Sequence, residues 1–225
     1  MLIRDWMSKE PITVSPETNI LDAGKLMKDN KISRLPVVDE TGRVMGIITD
    51  RDVKEASPSS ATSLEIHELY YLLSEVKVGD TMVPDPYKVT PTETVERAAV
   101  LMNDKDISGL PVVDDDGKCV GVITESDIFN VFISITGVEH GGVQFAFDLP
   151  NEPGSLKTVI DDLRKVDARI VSILTYYDSP DENTRHVLIR IMPMERFREN
   201  EIVKELKEKY AMTYWARDNV HPIIG

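Results

Sequence analysis

The chain has 225 residues, 41% of them apolar, enough for more than one packed core. Its net charge of -13 excludes a protein that adheres through general electrostatics to nucleic-acid phosphates or anionic lipid. One cysteine, Cys119, excludes an internal disulfide, Met1-Leu2-Ile3-Arg4-Asp5 lacks the apolar run of a secretory signal, and the longest apolar run, 129–138, is far short of the roughly 20 residues that span a bilayer, so a cytoplasmic protein is expected.

In chain order, an extended stretch Pro11-Ile12-Thr13-Val14 is followed by a turn of capping residues, Ser15-Pro16-Glu17-Thr18. Ile20, Ala23, Leu26 and Met27 then recur at helical spacing, which predicts an amphipathic helix with that face in a core. Leu35-Pro36-Val37-Val38 reads as a strand, Thr41-Gly42 as a turn, and 44–49 as a second strand that runs into a helix start. About 75 residues later the same order returns without a gap, with about two-fifths of the aligned positions identical. Pro86-Tyr87-Lys88-Val89 matches the first stretch, Val95, Ala98, Leu101 and Met102 the helical face, and 110–113 and 120–124 the two strands. Each copy is therefore predicted as β-α-β-β-α, the first over residues 1–56 and the second over 77–136.

Residues 57–76 interrupt the repeat, opening on Ser57-Pro58-Ser59-Ser60. Thr62-Ser63-Leu64-Glu65 has the form of a capping box, and Leu64, His67, Tyr71 and Leu72 share a face, so an inserted packing helix is expected there. A glycine-rich linker over 137–142 precedes a third module over 143–225 that has no copy elsewhere in the chain. Its periodicity predicts a strand through Val143, Phe145 and Phe147, a turn at Asn151-Glu152-Pro153-Gly154, and a helix through Leu156, Val159, Ile160 and Leu163. A strand over 170–177, a loop at Asp178-Ser179-Pro180-Asp181, a strand through Val187, Ile189 and Ile191, a helix through Ile202, Val203 and Leu206 and a strand over 213–217 follow. That order is βαββαβ, ferredoxin-like, and the fold class is α+β.

The sharpest chemical signal is Gly46-Ile47-Ile48-Thr49-Asp50-Arg51-Asp52 and its copy Gly121-Val122-Ile123-Thr124-Glu125-Ser126-Asp127. Each places a hydroxyl and a carboxylate three residues apart where a buried strand turns into a helix. One reading is an ordinary capping box with Thr49 and Thr124 as caps. Another is a nucleoside site, since a helix N-terminus offers N–H groups to phosphate and a carboxylate accepts from two ribose hydroxyls. The two roles are compatible.

These motifs, with Leu35-Pro36-Val37-Val38-Asp39 and the matching spacing of both copies, resemble a tandem pair of CBS domains, a Bateman module, over residues 1 to about 135. The resemblance implies a pseudo-two-fold pair with two clefts between the repeats that hold AMP, ATP or S-adenosylmethionine. It assigns ribose to Asp52 and Asp127, nucleoside or phosphate to Thr49 and Thr124, and base contacts to Ile12 and Tyr87. Ser33-Arg34 and Arg51 mark the first repeat, against Ser108-Gly109 and Glu125-Ser126 in the second. An arginine fork suits phosphate, so the first cleft is expected to take a di- or triphosphate and the second a less charged adenosyl group.

The third module resembles an ACT domain, through its first strand and the segment Asn151-Glu152-Pro153-Gly154-Ser155-Leu156. Many members of that family carry Asp where Asn151 stands. The resemblance implies an amino-acid site at Asn151, Gly154, Ser155 and Leu156, with the α-carboxylate on the helix N-terminus; an ordinary tight strand-helix turn is the alternative. No metal site is expected, since His67, His140, His186 and His221 lack ligand spacing, and Cys119 reads as a core residue.

CBS-CBS-ACT order is similar to that of the acetoin-utilisation type of bacterial regulatory protein. The expected function is non-catalytic regulation: an adenosyl ligand acts on a homodimer, an amino acid supplies a second input, and the output is association with a regulated partner. The alternative is an interaction scaffold with empty clefts.

Overall fold

The computed structural model describes residues 1–56, 75–177 and 183–217. The expected inserted helix, with Leu64, His67, Tyr71 and Leu72, and the loop at Asp178-Ser179-Pro180-Asp181 lie outside the described residues. Two compact units are formed, Met1–Phe129 and Asn130–Gly225.

In the first unit, β1 (Ser8–Lys9), α1 (Ile20–Asn30), β2 (Arg34–Val38), β3 (Val44–Thr49) and α2 (Asp50–Ala56) come from the first repeat. The second contributes α3 (Val78–Thr81), β4 (Val83–Pro84), α4 (Val95–Lys105), β5 (Gly109–Val113), β6 (Cys119–Thr124) and the start of α5 (Glu125–Thr136). Asn19 opens α1 by accepting from the Leu21 N–H at 2.7 Å, and Thr94 opens α4 by accepting from the Arg97 N–H at 3.3 Å. Both helices end in equivalent left-handed residues, Lys31 and Asp106. Of the face that the helical spacing predicts, they bury Ile20, Ala23 and Met27, and Val95, Ala98 and Met102, while Leu26 and Leu101 are only partly buried.

The strands pair across the repeats. One sheet runs β2-β3-β4 and the other β1-β6-β5, so each repeat lends its leading strand to the sheet of its copy. Pro84 and Val83 lie opposite Gly46 and Ile47, while Lys9 and Ser8 lie opposite Gly121 and Val122. Ile3 and Val78, which precede these strands at equivalent positions, are completely buried. The stretches expected to open each repeat, 11–14 and 86–89, are not strands. Only Val14 bridges to Val37 and only Val89 to Val112, in parallel, because Pro11, Pro36, Pro86 and Pro111 have no N–H with which to extend a ladder.

Glycine at 46 and 121 follows from this exchange. A Cβ on Gly121 would lie 2.6 Å from Met7 Sδ and 2.8 Å from the Ser8 carbonyl oxygen; on Gly46 it would lie 2.4 Å from Met82 Sδ. The crossing strand takes the space of the missing side chain.

In the second unit, β7 (Val143–Pro150), α6 (Ser155–Lys165), β8 (Ile170–Tyr176), β9 (Thr184–Ile191), α7 (Arg196–Lys209) and β10 (Met212–Arg217) follow in the order βαββαβ. The sheet runs β10-β7-β9-β8 with every neighbour antiparallel. Phe145, Phe147, Val159, Leu163, Ile189 and Ile202 meet in its core, so one face of the sheet is covered by both helices.

Asp162 ties the helices of this unit to each other. It accepts from Lys165 Nζ at 2.6 Å, the Tyr210 hydroxyl at 2.9 Å and Lys209 Nζ at 3.2 Å, and these donors hold its carboxyl down from 3.8 to about 2. A depressed carboxylate stabilises the fold above its unfolded pKa and loses that contribution as it protonates. The stability gap between the protein and its Asp162→Asn variant is therefore expected to narrow as pH falls from about 4 toward about 2, which urea unfolding followed by circular dichroism at stepped pH measures.

Candidate ligand cleft

β6 delivers Thr124 and the first turn of α5 delivers Asp127. Asp127 Oδ2 accepts from the Thr124 N–H at 2.8 Å and from the Thr124 hydroxyl at 2.7 Å, and Thr124 Oγ1 faces the Asp127 N–H at 3.4 Å. The first repeat reproduces this arrangement at the junction of β3 and α2: 2.7 Å, 2.7 Å and 3.4 Å between Thr49 and Asp52. Both motifs are thus closed capping boxes. Each box occupies Oδ2 and leaves Oδ1 as an acceptor at the mouth of the helix, so capping and ligand binding can coexist.

A cavity of about 450 Å³ lies between the repeats, within the size range of small-molecule sites. It brings together six of the expected residues, Ile12, Ser33, Arg34, Ser108, Thr124 and Asp127. Arg34 and Arg51, expected together in the first cleft, are placed apart. Ser33 and Arg34 of the first repeat share the cavity with Thr124 and Asp127 of the second. Arg51 is not among the lining residues: it is 83% exposed, with Glu55 as its ionic neighbour at 4.0 Å. Tyr87 also lies outside this cavity, half-exposed, with Lys105 over its ring.

Arg34 dominates the electrostatics. Its Nη2 donates to Ser108 Oγ at 2.9 Å and to Ser33 Oγ at 3.4 Å, while Nε is buried without a hydrogen-bond partner. Burial lowers its pKa, opposed by the carboxylates of Glu125, Asp50 and Asp127, and a guanidinium stays charged at neutral pH regardless. Lys31 adds a second cation to the cavity wall, and Ser8, Glu10 and Glu125 add polar and acidic groups. Sequence reasoning passed over Lys31, Ser8 and Glu10. Ser8 and Glu10 arrive at or beside the exchanged strand, whose destination no local pattern records; Lys31 ends α1 in a left-handed turn that aims the chain into the cleft.

Elsewhere the chemistry is quiet. Burial pushes the Cys119 thiol up to about 11, which leaves no thiolate at neutral pH. Among the described residues no group of three or more His, Cys, Asp and Glu is placed to hold a metal ion. His67 and His221 lie outside those residues, and His186 Nδ1 sits 2.7 Å from Asp148. No helix of the described residues is long and apolar enough to cross a membrane.

In the second unit the four expected amino-acid contacts have different surroundings. Gly154 caps α6 with φ +96°, Asn151 Oδ1 accepts from the Tyr177 hydroxyl at 3.3 Å, and Leu156 packs against the core. Ser155 alone of the four faces the neighbouring cavity, of about 380 Å³, which Asp148, Glu152 and Thr158 also line.

Comparison with known proteins agrees with the repeat. Residues 3–59 and 78–134 match the CBS domain family, just over half of the chain. Among solved structures, the CBS domain pair of protein MJ0100, in complex with 5-methylthioadenosine and S-adenosyl-L-methionine, is 32% identical and covers 59% of this chain and 95% of its own, with a TM-score of 0.50. CBSX2 of Arabidopsis thaliana, in complex with AMP, is 30% identical over 60% of this chain and 98% of its own, with a TM-score of 0.50. A Vibrio cholerae protein named for acetoin utilization, AcuB, is 28% identical over 62% of this chain and 95% of its own, with a TM-score of 0.52.

Proposed function

Because this chain belongs to the CBS domain family, with two copies of the domain in tandem, we propose that it is a non-catalytic regulatory protein that senses an adenosine-containing ligand between its repeats. The observation that carries this reading is the convergence of Arg34, Thr124 and Asp127, drawn from both repeats, on one cavity of about 450 Å³. Asp127 Oδ1 is the acceptor for ribose hydroxyls, the start of α5 with Lys31 and Arg34 receives phosphate, and Ile12 packs against the base. The correspondence of the repeats assigns Thr49, Asp52 and Tyr87 to an equivalent second cleft. AMP, ATP and S-adenosylmethionine are the candidate ligands, in keeping with the complexes of the similar CBS pairs.

The reading extends to a cytoplasmic homodimer whose populations shift with ligand. Coupling needs only a differential affinity, about 1.4 kcal/mol for a factor of ten between two states. The regulated partner is a protein, and the likeness to the acetoin-utilization protein supports a role in acetoin or acetyl-CoA metabolism. For residues 143–225 we propose an ACT-type module, supported by the βαββαβ order and the Pro153-Gly154 turn. The reading assigns the amino-acid input to Asn151, Gly154, Ser155 and Leu156, supported by the cavity of about 380 Å³ that Ser155 faces.

A scaffold with empty clefts is the second reading, favoured by one observation: both Thr-Asp pairs already satisfy each other as caps. Thermal unfolding in the presence of AMP, ADP, ATP, S-adenosylmethionine and the common amino acids separates the two. The sensor gains about 2.7 kcal/mol at a hundred times the dissociation constant of its ligand. Protein free of co-purified nucleotide that melts unchanged across the panel would establish the scaffold.

A further inference from the structure

The two repeats are related position by position, so Ser33 corresponds to Ser108, Arg34 to Gly109, and Asp50 to Glu125. Arg34 touches the equivalents of its own neighbourhood: its Nη2 bonds both Ser33 and Ser108, and its Nη1 lies 2.1 Å from where a Cβ on Gly109 would be. A side chain that reaches its own repeat counterpart lies close to the pseudo-two-fold axis. Its field is shaped by Glu125 and Asp50, the equivalent carboxylates at the starts of α5 and α2, and by Asp127 on the side of the described cavity. A side chain at 109 would take the place the guanidinium now holds, and glycine there, where strict repetition would supply a second arginine, leaves that place to Arg34.

By the same correspondence the second cleft has Asp106 at the position of Lys31 and Gly109 at that of Arg34, and its own cation is Arg51, at the position of the cavity-lining Ser126. We propose that Arg34 is a shared phosphate-binding residue which serves whichever cleft holds an anionic nucleotide, so that phosphate in one cleft withdraws the cation from the other. This rests on the adenosine reading above. Its consequence is regulatory: two nucleosides fit together, while a second phosphate-bearing ligand binds against a cleft from which Arg34 has been withdrawn. A charge-assisted contact of this kind sets the expected effect at about tenfold in affinity.

Isothermal titration with ADP and with adenosine tests the proposal on two single-cleft variants, Asp52→Asn and Asp127→Asn, each with and without Arg34→Ala. The expected result is that Arg34→Ala weakens ADP about tenfold in both variants and leaves adenosine within about twofold. In the unaltered protein a second equivalent of ADP should bind at least about tenfold more weakly than the first, with no comparable split for adenosine. Loss of ADP affinity in only one of the two variants would overturn sharing and assign Arg34 to a single cleft. Absence of any adenosine or ADP binding by the unaltered protein would instead overturn the adenosine reading, and sharing with it.

Discussion

Gly121→Ala is expected to destabilise the repeat pair by about 2 to 3 kcal/mol, the upper part of the range for overpacking a buried site. The added methyl would stand 2.6 Å from Met7 Sδ and 2.8 Å from the Ser8 carbonyl oxygen. A thioether can swing aside, but the carbonyl belongs to β1, which is paired with β6 and held in register with Gly121 itself. Relief therefore requires the exchanged strand to lift from its sheet. Gly46→Ala should cost less, since its severe contact is the Met82 sulfur and the Val83 carbonyl oxygen stays 3.1 Å away. Urea unfolding of both variants checks the magnitude and the order. Wild-type stability for Gly121→Ala would mean that β1 does not cross there.

Much of this architecture is legible in the residues. Helical spacing of Ile20, Ala23 and Met27, and of Val95, Ala98 and Met102, locates two core helices, because burial on one face leaves a 3.6-residue period. Repetition of Leu-Pro-Val-Val and of Thr-x-x-Asp locates the strand ends that build the cleft. Strand exchange is not legible. Ser8-Lys9 and Val83-Pro84 are two-residue strands with exposed side chains, too short for an alternating pattern, and their partners lie more than a hundred and about forty residues away respectively. Arg34 and Arg51 look like one site when read along the chain, and they part because the Arg34 side chain reaches Ser108 of the other repeat while Arg51 stays exposed on α2, a difference of side-chain direction that no local pattern records. The Thr-x-x-Asp boxes were open to two readings in sequence, and the geometry satisfies the capping one while leaving Oδ1 of each aspartate for the other.

Asp127→Asn is expected to weaken adenosine-ligand binding at the cavity by about 100-fold, about 2.7 kcal/mol. The carboxylate accepts strongly from two ribose hydroxyls, whereas an amide offers one oxygen, already engaged by Thr124, and an NH2 group that repels donors. Folding should be little affected, with a change of about 1 kcal/mol or less, because that one oxygen still caps the Thr124 N–H and hydroxyl. Asp52→Asn should act in the same way on the equivalent cleft. Equilibrium titration together with urea unfolding of each variant separates the two quantities. A scaffold would show the second change without the first.

Whether the cavity between the repeats is the adenosine site decides between a sensor and a scaffold. A crystal structure of the protein saturated with AMP tests this most directly. The expected density places the ribose hydroxyls within hydrogen-bonding distance of Asp127 Oδ1, the phosphate toward Arg34 and the start of α5, and the base beside Ile12. An empty cavity at saturating AMP, or AMP bound only away from Arg34, Thr124 and Asp127, would contradict it.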